Sequence, residues 1–562
     1  MNTVAPERPA LPKVPEFTPR IHLIILTLTT LVLLMSGSFQ LPITMDEPRF
    51  SQATREMMER HEWIIPYFNG EFRLDKPPFI YWTMMAFYSL FGTHEICARL
   101  PGILSTLLLI LATYQIGRRF FTPTIGFCAA FGLATCLQIL IHGRLAVADM
   151  PMILGLTISQ AMLMVIILPR EEKRSWTDFW LFYLAQVLGF LAKGPVVQII
   201  TLLTLLIFRF ALWRKPLPWK RLRLELGIPL MLGLIGIWGI PALIQTHGQW
   251  WNTGIGENVL NRGIEPFNGR SHFILYYFLT SIFSLCPWFA LVGYGWLVLR
   301  QNWNATNAFL GSWILATYLL FTLYATQLPH YVMPAFPAFF LLLGQIVTLR
   351  PKQPAWASHV RLGIGSLYLI LALLILTLSL VIGEQLRPLF WGLMLLFLGL
   401  FALLQAFQRE WWRLIVLEIL IIASGWFFIG STLQKLAPSI SIAQIASSLP
   451  AEAPCTARGF SEASLVFYTD RHWQLDQSFP ALQQALNHTG PGLVIELEEE
   501  LSIGPSFRWL IQKMVHQPVA PLHGKDYSDE ISQLSAEGWK TQEVTGLNLG
   551  RSSWVRLKVY SR

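Results

Sequence analysis

Residues 79–92 read Phe79-Ile80-Tyr81-Trp82-Thr83-Met84-Met85-Ala86-Phe87-Tyr88-Ser89-Leu90-Phe91-Gly92. Whether this run crosses a membrane decides the fold. It is apolar but short, since a helix needs about 20 apolar residues to cross the hydrocarbon core. About fourteen residues suit an interfacial or re-entrant helix better than a span. Lys76-Pro77-Pro78 stands just before it. The two prolines stiffen the entry and hold Lys76 at the membrane boundary. Lys76 then has two readings: a snorkelling lysine beside an aromatic belt at Tyr81 and Trp82, or a cation held for a lipid phosphate.

The rest of the chain supplies the membrane. It has 562 residues, 53% hydrophobic and 13% charged, with mean hydropathy +0.47. A soluble domain carries about 25% charged residues, so burial in a bilayer is the expected class. The net charge is +9, but most Lys and Arg fall in short loops between apolar runs. There they read as topology signals and phosphate ligands, and no nucleic-acid partner is expected. Five scattered cysteines show no metal or disulfide spacing. The long first apolar run reads as an anchor, not a cleavable signal.

Apolar runs at 21–43, 100–117, 123–142, 150–169, 176–192, 195–213, 227–245, 273–299, 307–326, 331–349, 362–382, 387–407 and 412–434 predict about thirteen spans. If 79–92 does not cross, Arg118-Arg119, Arg170, Lys173-Arg174, Arg214-Lys215, Lys220-Arg221, Arg300, Arg350, Arg361 and Arg409 share one side with the N-terminal tail. That matches the positive-inside rule and predicts a cytoplasmic N-terminus. The first loop, 44–99, then lies outside with Arg49, Arg55, Arg60, Arg73, Lys76 and Arg99. It breaks the rule, so those cations are expected to have work there.

From 437 to 562 charged residues return. Runs at 464–468, 492–495 and 554–560 alternate like strands, and 481–486 and 506–515 look helical. The expected organisation is a transmembrane domain, 1–436, with an external loop 44–99, and a small α/β domain, 437–562, outside the membrane.

Candidate chemistry gathers on the outer face. Asp46-Glu47-Pro48-Arg49 opens the first loop, with an amphipathic helix expected over 51–62. Acidic residues and an early proline also suit a plain helix start. Arg144 and Asp149 share a turn between spans and read as a simple ion pair, or as a second carboxylate facing a cavity. Glu257-Asn258, Arg262, Arg270-Ser271-His272 and Leu328-Pro329-His330-Tyr331 lie on the same side.

Taken in order, Asp46-Glu47, Lys76-Pro77-Pro78, Arg99-Leu100-Pro101, Arg144 with Asp149, Lys193-Gly194-Pro195 and Leu328-Pro329-His330-Tyr331 carry a family likeness. The chain resembles bacterial polyprenyl-phosphate-dependent glycosyltransferases of the protein O-mannosyltransferase superfamily, and among them the 4-amino-4-deoxy-L-arabinose lipid A transferases. The resemblance implies an α-helical polytopic membrane protein of GT-C type, with about thirteen transmembrane helices and a C-terminal extracytoplasmic domain. It implies an inverting enzyme of the bacterial inner membrane. The sugar would leave an undecaprenyl phosphate donor for a lipid A phosphate or another envelope acceptor on the periplasmic face. By position, Lys76, Arg262 and Tyr331 match the donor-phosphate ligands, and Asp46, Glu47 and Asp149 the catalytic carboxylates. Arg49, Arg144 and His330 are further candidates for substrate contact. No cofactor is required, and a divalent metal near Asp46, Glu47, His330 and Asp149 is neither required nor excluded. A protein hydroxyl or other glycan acceptor stays open. A polyprenyl-lipid transporter is the competing class, though no internal repeat supports it.

Overall fold

The computed structural model describes residues 17–168, 175–265, 273–346, 355–381, 386–408, 414–502, 525–526, 538–551 and 553–562. Helices occupy all thirteen expected spans. Seven are long and apolar enough to cross a membrane: Glu95–Phe120, Asp149–Ile167, Trp219–Gln245, Ala305–Leu323, Ala355–Leu380, Arg387–Ala406 and Ile415–Leu436. Shorter apolar helices include Pro19–Met35, Pro123–Ala134, Val196–Leu212 and Pro329–Gly344. The run that opens the sequence forms the 13-residue helix Phe79–Phe91. At 1.5 Å per residue it reaches about 20 Å, against about 30 Å of hydrocarbon.

The expected span at 273–299 is not a single rod. In place of a helix over 273–299, Tyr276–Ser284 and Trp288–Gln301 meet at 111°. The break falls at Leu285-Cys286-Pro287, where proline lacks the amide hydrogen that would continue the helix.

Two compact units emerge within the described residues. One is built from Met1–Ser38, Leu74–Thr83 and Arg99–Phe428, the other from Phe39–Arg73, Met84–Ala98 and Ile429–Arg562.

In the first unit, chain entries are capped. Ser175 and Asp178 form a capping box at the start of Trp176–Lys193, and Asn304 accepts from the Asn307 amide at 2.9 Å. Asp149–Ile167 and Trp176–Lys193 lie side by side because Gly155 faces Gly189; a Cβ on Gly155 would come within 3.0 Å of the Ala185 carbonyl. Small residues let helix backbones approach in a membrane. Gln186 then bridges to Ser159 at 2.7 Å and Thr201 at 2.9 Å. This close pairing sets Asp149, at the start of one helix, beside Lys193, at the end of the other.

The second unit holds a mixed sheet. Its strand order is Trp473–Gln474, Cys455–Arg458, Leu493–Ser502, Ser553–Ser561 and Lys540–Asn548, with Lys525–Asp526 also on Leu493–Ser502. The first three strands run parallel, and the C-terminal hairpin joins antiparallel. The strands expected at 492–495 and 554–560 are present and longer. Helix Phe479–Leu486 covers the segment expected to be helical at 481–486. Residues 464–468 are not a strand; they lie in helix Ala463–Thr469. A short run whose residues Ala463 through Phe467 are all buried has no period to separate helix from strand. The helix expected over 506–515 lies outside the described residues.

Candidate active site

The first unit gathers several of the sequence candidates. Lys193 Nζ lies 2.5 Å from Asp149 Oδ1, with both side chains largely buried. His330 Nε2 stands 3.9 Å from the same oxygen. The His330 ring lies 4.5 Å from that of His142 and 4.9 Å from that of Tyr331. Lys193 Nζ also sits over the Tyr331 ring at 5.4 Å, close enough for a cation–π contact. Behind His142, Gln138 Nε2 lies 2.8 Å from His142 Nδ1, and Ser284 Oγ donates to Gln138 Oε1 at 3.1 Å. The carboxylate and ammonium therefore neutralise each other in a low-dielectric setting, where an isolated charge would be costly.

A relay of contacts extends from Tyr331 toward Lys76. Tyr331 packs 6.4 Å from Tyr324, whose hydroxyl donates to the Val259 carbonyl at 2.6 Å. The Thr326 amide donates to the Arg262 carbonyl, and Ala325 to Gly263, each at 3.0 Å. Asn258 Nδ2 donates to Asp75 Oδ1 at 3.3 Å, next to Lys76, whose ammonium donates to the Asp75 carbonyl at 3.2 Å. The segments bearing Lys76, Arg262 and Tyr331, far apart in sequence, are thus linked through Asp75, Asn258 and Tyr324.

Arg144 behaves differently. It does not pair with Asp149, which is held by Lys193. Its guanidinium donates to the carbonyls of Leu140, Ser36 and Leu33 at 2.7, 2.7 and 2.8 Å, and stacks 3.8 Å over Trp426. It is 1% exposed, which makes it a clamp between helices and corrects the reading of a substrate contact. Lys193 and His142 have no assigned role in the sequence reading. Their signal was a charge and a ring at the ends of apolar runs, which becomes a cluster only when helix pairing is known.

A family model described as dolichyl-phosphate-mannose-protein mannosyltransferase matches residues 75–238, the stretch carrying Lys76, Asp149 and Lys193. Undecaprenyl phosphate-alpha-4-amino-4-deoxy-L-arabinose arabinosyl transferase 2 of Pseudomonas fluorescens is 28% identical over 65% of this chain and 67% of its own. The transferase of that name, without the numeral, from Edwardsiella ictaluri is 25% identical over 54% of this chain and 55% of its own. The chain therefore spans about half the length of that second relative. Among solved structures, ArnT from Cupriavidus metallidurans bound to undecaprenyl phosphate aligns with a TM-score of 0.73 at 19% identity, covering 96% of this chain and 97% of that one. The chain has the fold of that ArnT structure.

The second unit carries the remaining candidates. Helix Glu47–Glu59 begins after Asp46, whose side chain makes no capping hydrogen bond. The Asp46 carboxylate is 70% exposed and lies 3.3 Å from Arg49 Nη1. Glu47 is buried. Arg55, one of the first-loop cations, has structural work. It is buried and donates to Asp470 Oδ1 at 2.7 Å and the Phe467 carbonyl at 3.1 Å. Arg60 stacks on Tyr67 and Arg73 on Phe50, at 4.4 and 4.9 Å. Near them burial, then the charge of Asp470, pushes the Glu59 carboxyl above its ordinary value. Asn69 exchanges two hydrogen bonds, each 2.9 Å, with the Trp473 backbone.

In the first unit, Arg99 is fully buried and donates to the Ser38 carbonyl at 2.8 Å. Much of the first-loop excess of cations therefore holds structure together. Among the described residues, no group of three or more His, Cys, Asp and Glu side chains is placed to hold a metal ion. Arg270-Ser271-His272 lies outside the described residues.

Proposed function

We propose that this chain moves 4-amino-4-deoxy-L-arabinose from undecaprenyl phosphate to a phosphate of lipid A, on the periplasmic face of the bacterial inner membrane. The observation that carries the reading is the linkage of Lys76, Arg262 and Tyr331 through Asp75, Asn258 and Tyr324. Two cations and a phenol drawn from three distant segments suit one phosphate. The curated relatives, named for undecaprenyl-phosphate-linked aminoarabinose, support the choice of donor.

The acceptor phosphate oxygen attacks the anomeric carbon, and the bond from that carbon to the donor phosphate oxygen breaks on the opposite side. The configuration inverts. The carrier leaves as a phosphate monoester with one more negative charge than the diester. Lys76 and Arg262 stabilise that added charge, and Tyr331 donates a hydrogen bond to it. Lys193, neutralised by Asp149, holds the ring of Tyr331. Asp46 orients the acceptor or sugar; an ionised phosphate acceptor needs no general base. Positioning and charge complementarity then supply most of the acceleration.

The test is mass spectrometry of lipid A and envelope proteins from cells with and without this chain, in a host lacking its own transferase. A chain-dependent aminoarabinose mass on lipid A supports the reading. The mass on a protein instead would move the acceptor to a Ser or Thr hydroxyl, with Asp46 as general base.

A further inference from the structure

The helices Ala355–Val381, Arg387–Gln408 and Ile415–Leu436 pack antiparallel in sequence. Gly365 lies against Leu404, Gly399 against Ile422 and Gly425 against Leu396. A cavity of about 850 Å³ opens among them. Most of its wall is apolar, with Leu398 and Phe401 among the lining side chains, but Arg361, Gln405 and Glu418 also reach it. Arg361 lies in the second turn of its helix, Gln405 in the last turn of the next, and Glu418 in the first turn of the third. These positions share one end of the three-helix group. None of the residues lining it belongs to the Asp149, Lys193, His330 and Tyr331 cluster or to the Lys76 and Arg262 segments. The cavity is therefore distinct from the donor-phosphate neighbourhood.

Glu418 is only 7% exposed, and its Oε2 has no hydrogen-bond partner among the described residues. A carboxylate at a span boundary requires a cation or a donor. The opposing charge on the wall, Arg361, offers a fork suited to a phosphate. Apolar walls between one cation and one bare carboxylate fit an amphiphile that carries both charges. We propose that this cavity binds a membrane lipid whose headgroup joins a phosphate to a primary ammonium, with the phosphate on Arg361, the ammonium on Glu418 and an acyl chain along Leu398 and Phe401. The ammonium must bear N–H groups, because the open Glu418 oxygen is an acceptor. A trimethylammonium headgroup has none, and an anionic headgroup meets the carboxylate with like charge.

The purified full chain, stripped of lipid in detergent, is reloaded with phosphatidylethanolamine, phosphatidylcholine or phosphatidylglycerol of matched chains and read by native mass spectrometry. Phosphatidylethanolamine should be retained at least tenfold more strongly than either of the others. Glu418→Gln should reduce it to the phosphatidylcholine level, and Arg361→Gln should weaken phosphatidylethanolamine and phosphatidylcholine together by about tenfold. Thermal unfolding reports whether each variant folds; if Glu418→Gln does not, the wild-type lipid ranking and Arg361→Gln decide. Equal retention of all three lipids, or unchanged phosphatidylethanolamine binding in folded variants, overturns the proposal. Displacement of the lipid by soluble glycerophosphoethanolamine at matched concentration overturns the lipid assignment.

Discussion

Lys193 holds its ammonium 2.5 Å from the Asp149 carboxylate, across the seam of two helices that glycines bring together. With the two side chains 16% and 11% exposed, removing either partner leaves the other charge buried and bare. Lys193→Met should destabilise the protein by about 3–5 kcal/mol, while Lys193→Met with Asp149→Leu should recover much of the loss. Unfolding midpoints of the two single variants and the double variant, read as a cycle, check the coupling. Purely additive losses would mean that the pair does not hold the seam.

Lys76→Ala should lower affinity for undecaprenyl phosphate about tenfold or more. A charge-assisted contact contributes about 1.5–3 kcal/mol, and a tenfold change is about 1.4 kcal/mol. Lipid titration of the purified variant measures it, and unchanged affinity would remove Lys76 from the phosphate site.

Asp46→Asn keeps size and removes charge. The side chain is 70% exposed and caps no amide, so stability should change by less than about 0.5 kcal/mol. Folding and lipid binding should survive while sugar transfer is lost. A normal transfer rate would reduce Asp46 to the start of its helix.

Arg55 and Asp470 should respond unequally. Arg55 is 10% exposed at its side chain and Asp470 is 61%. Arg55→Ala abandons both the carboxylate and the Phe467 carbonyl. Asp470→Ala leaves Arg55 its carbonyl and its place over the Phe467 ring. We expect a loss of about 2–4 kcal/mol for Arg55→Ala and about half of that for Asp470→Ala, seen as earlier proteolysis of the second unit.

The side of the membrane can be read with thiol labels. All five native cysteines are buried, which keeps the background low. If helix Phe79–Phe91 does not cross, Glu71→Cys and His94→Cys should both react with an impermeant reagent added outside intact cells. Protection of His94→Cys alone would make the helix a span.

The sequence carries the spans well, because a bilayer imposes a length and an apolar composition on each of them. It carries less of what happens inside a span. The 111° bend between Tyr276–Ser284 and Trp288–Gln301 leaves a run whose apolar pattern looks continuous. The run at 464–468 reads as a strand but forms a helix, because Ser464 through Phe467 are all buried and leave no period to read. In the site, Lys76, Asp149 and Tyr331 could be picked out one by one. Lys193 stands in one of the motifs, but its role could not be read, since it depends on Gly155 meeting Gly189. Arg144 misled in the opposite sense: a charge at a span boundary looks functional until its carbonyl partners are known.

Arg55 and Asp470 are 415 residues apart in the chain, yet belong to one compact unit assembled from three separate segments. At about 5–20 residues per second, a ribosome takes about 20–80 s to make the distance between them. For that time helix Glu47–Glu59 has been synthesised while Asp470, the Phe467 carbonyl and the Trp473 backbone that Asn69 grips do not yet exist. The loop bearing Asp46 must therefore wait for these partners until residue 473 has been made. A message broken between codons 437 and 467 would leave a chain whose helical core can insert while that loop never finds its support.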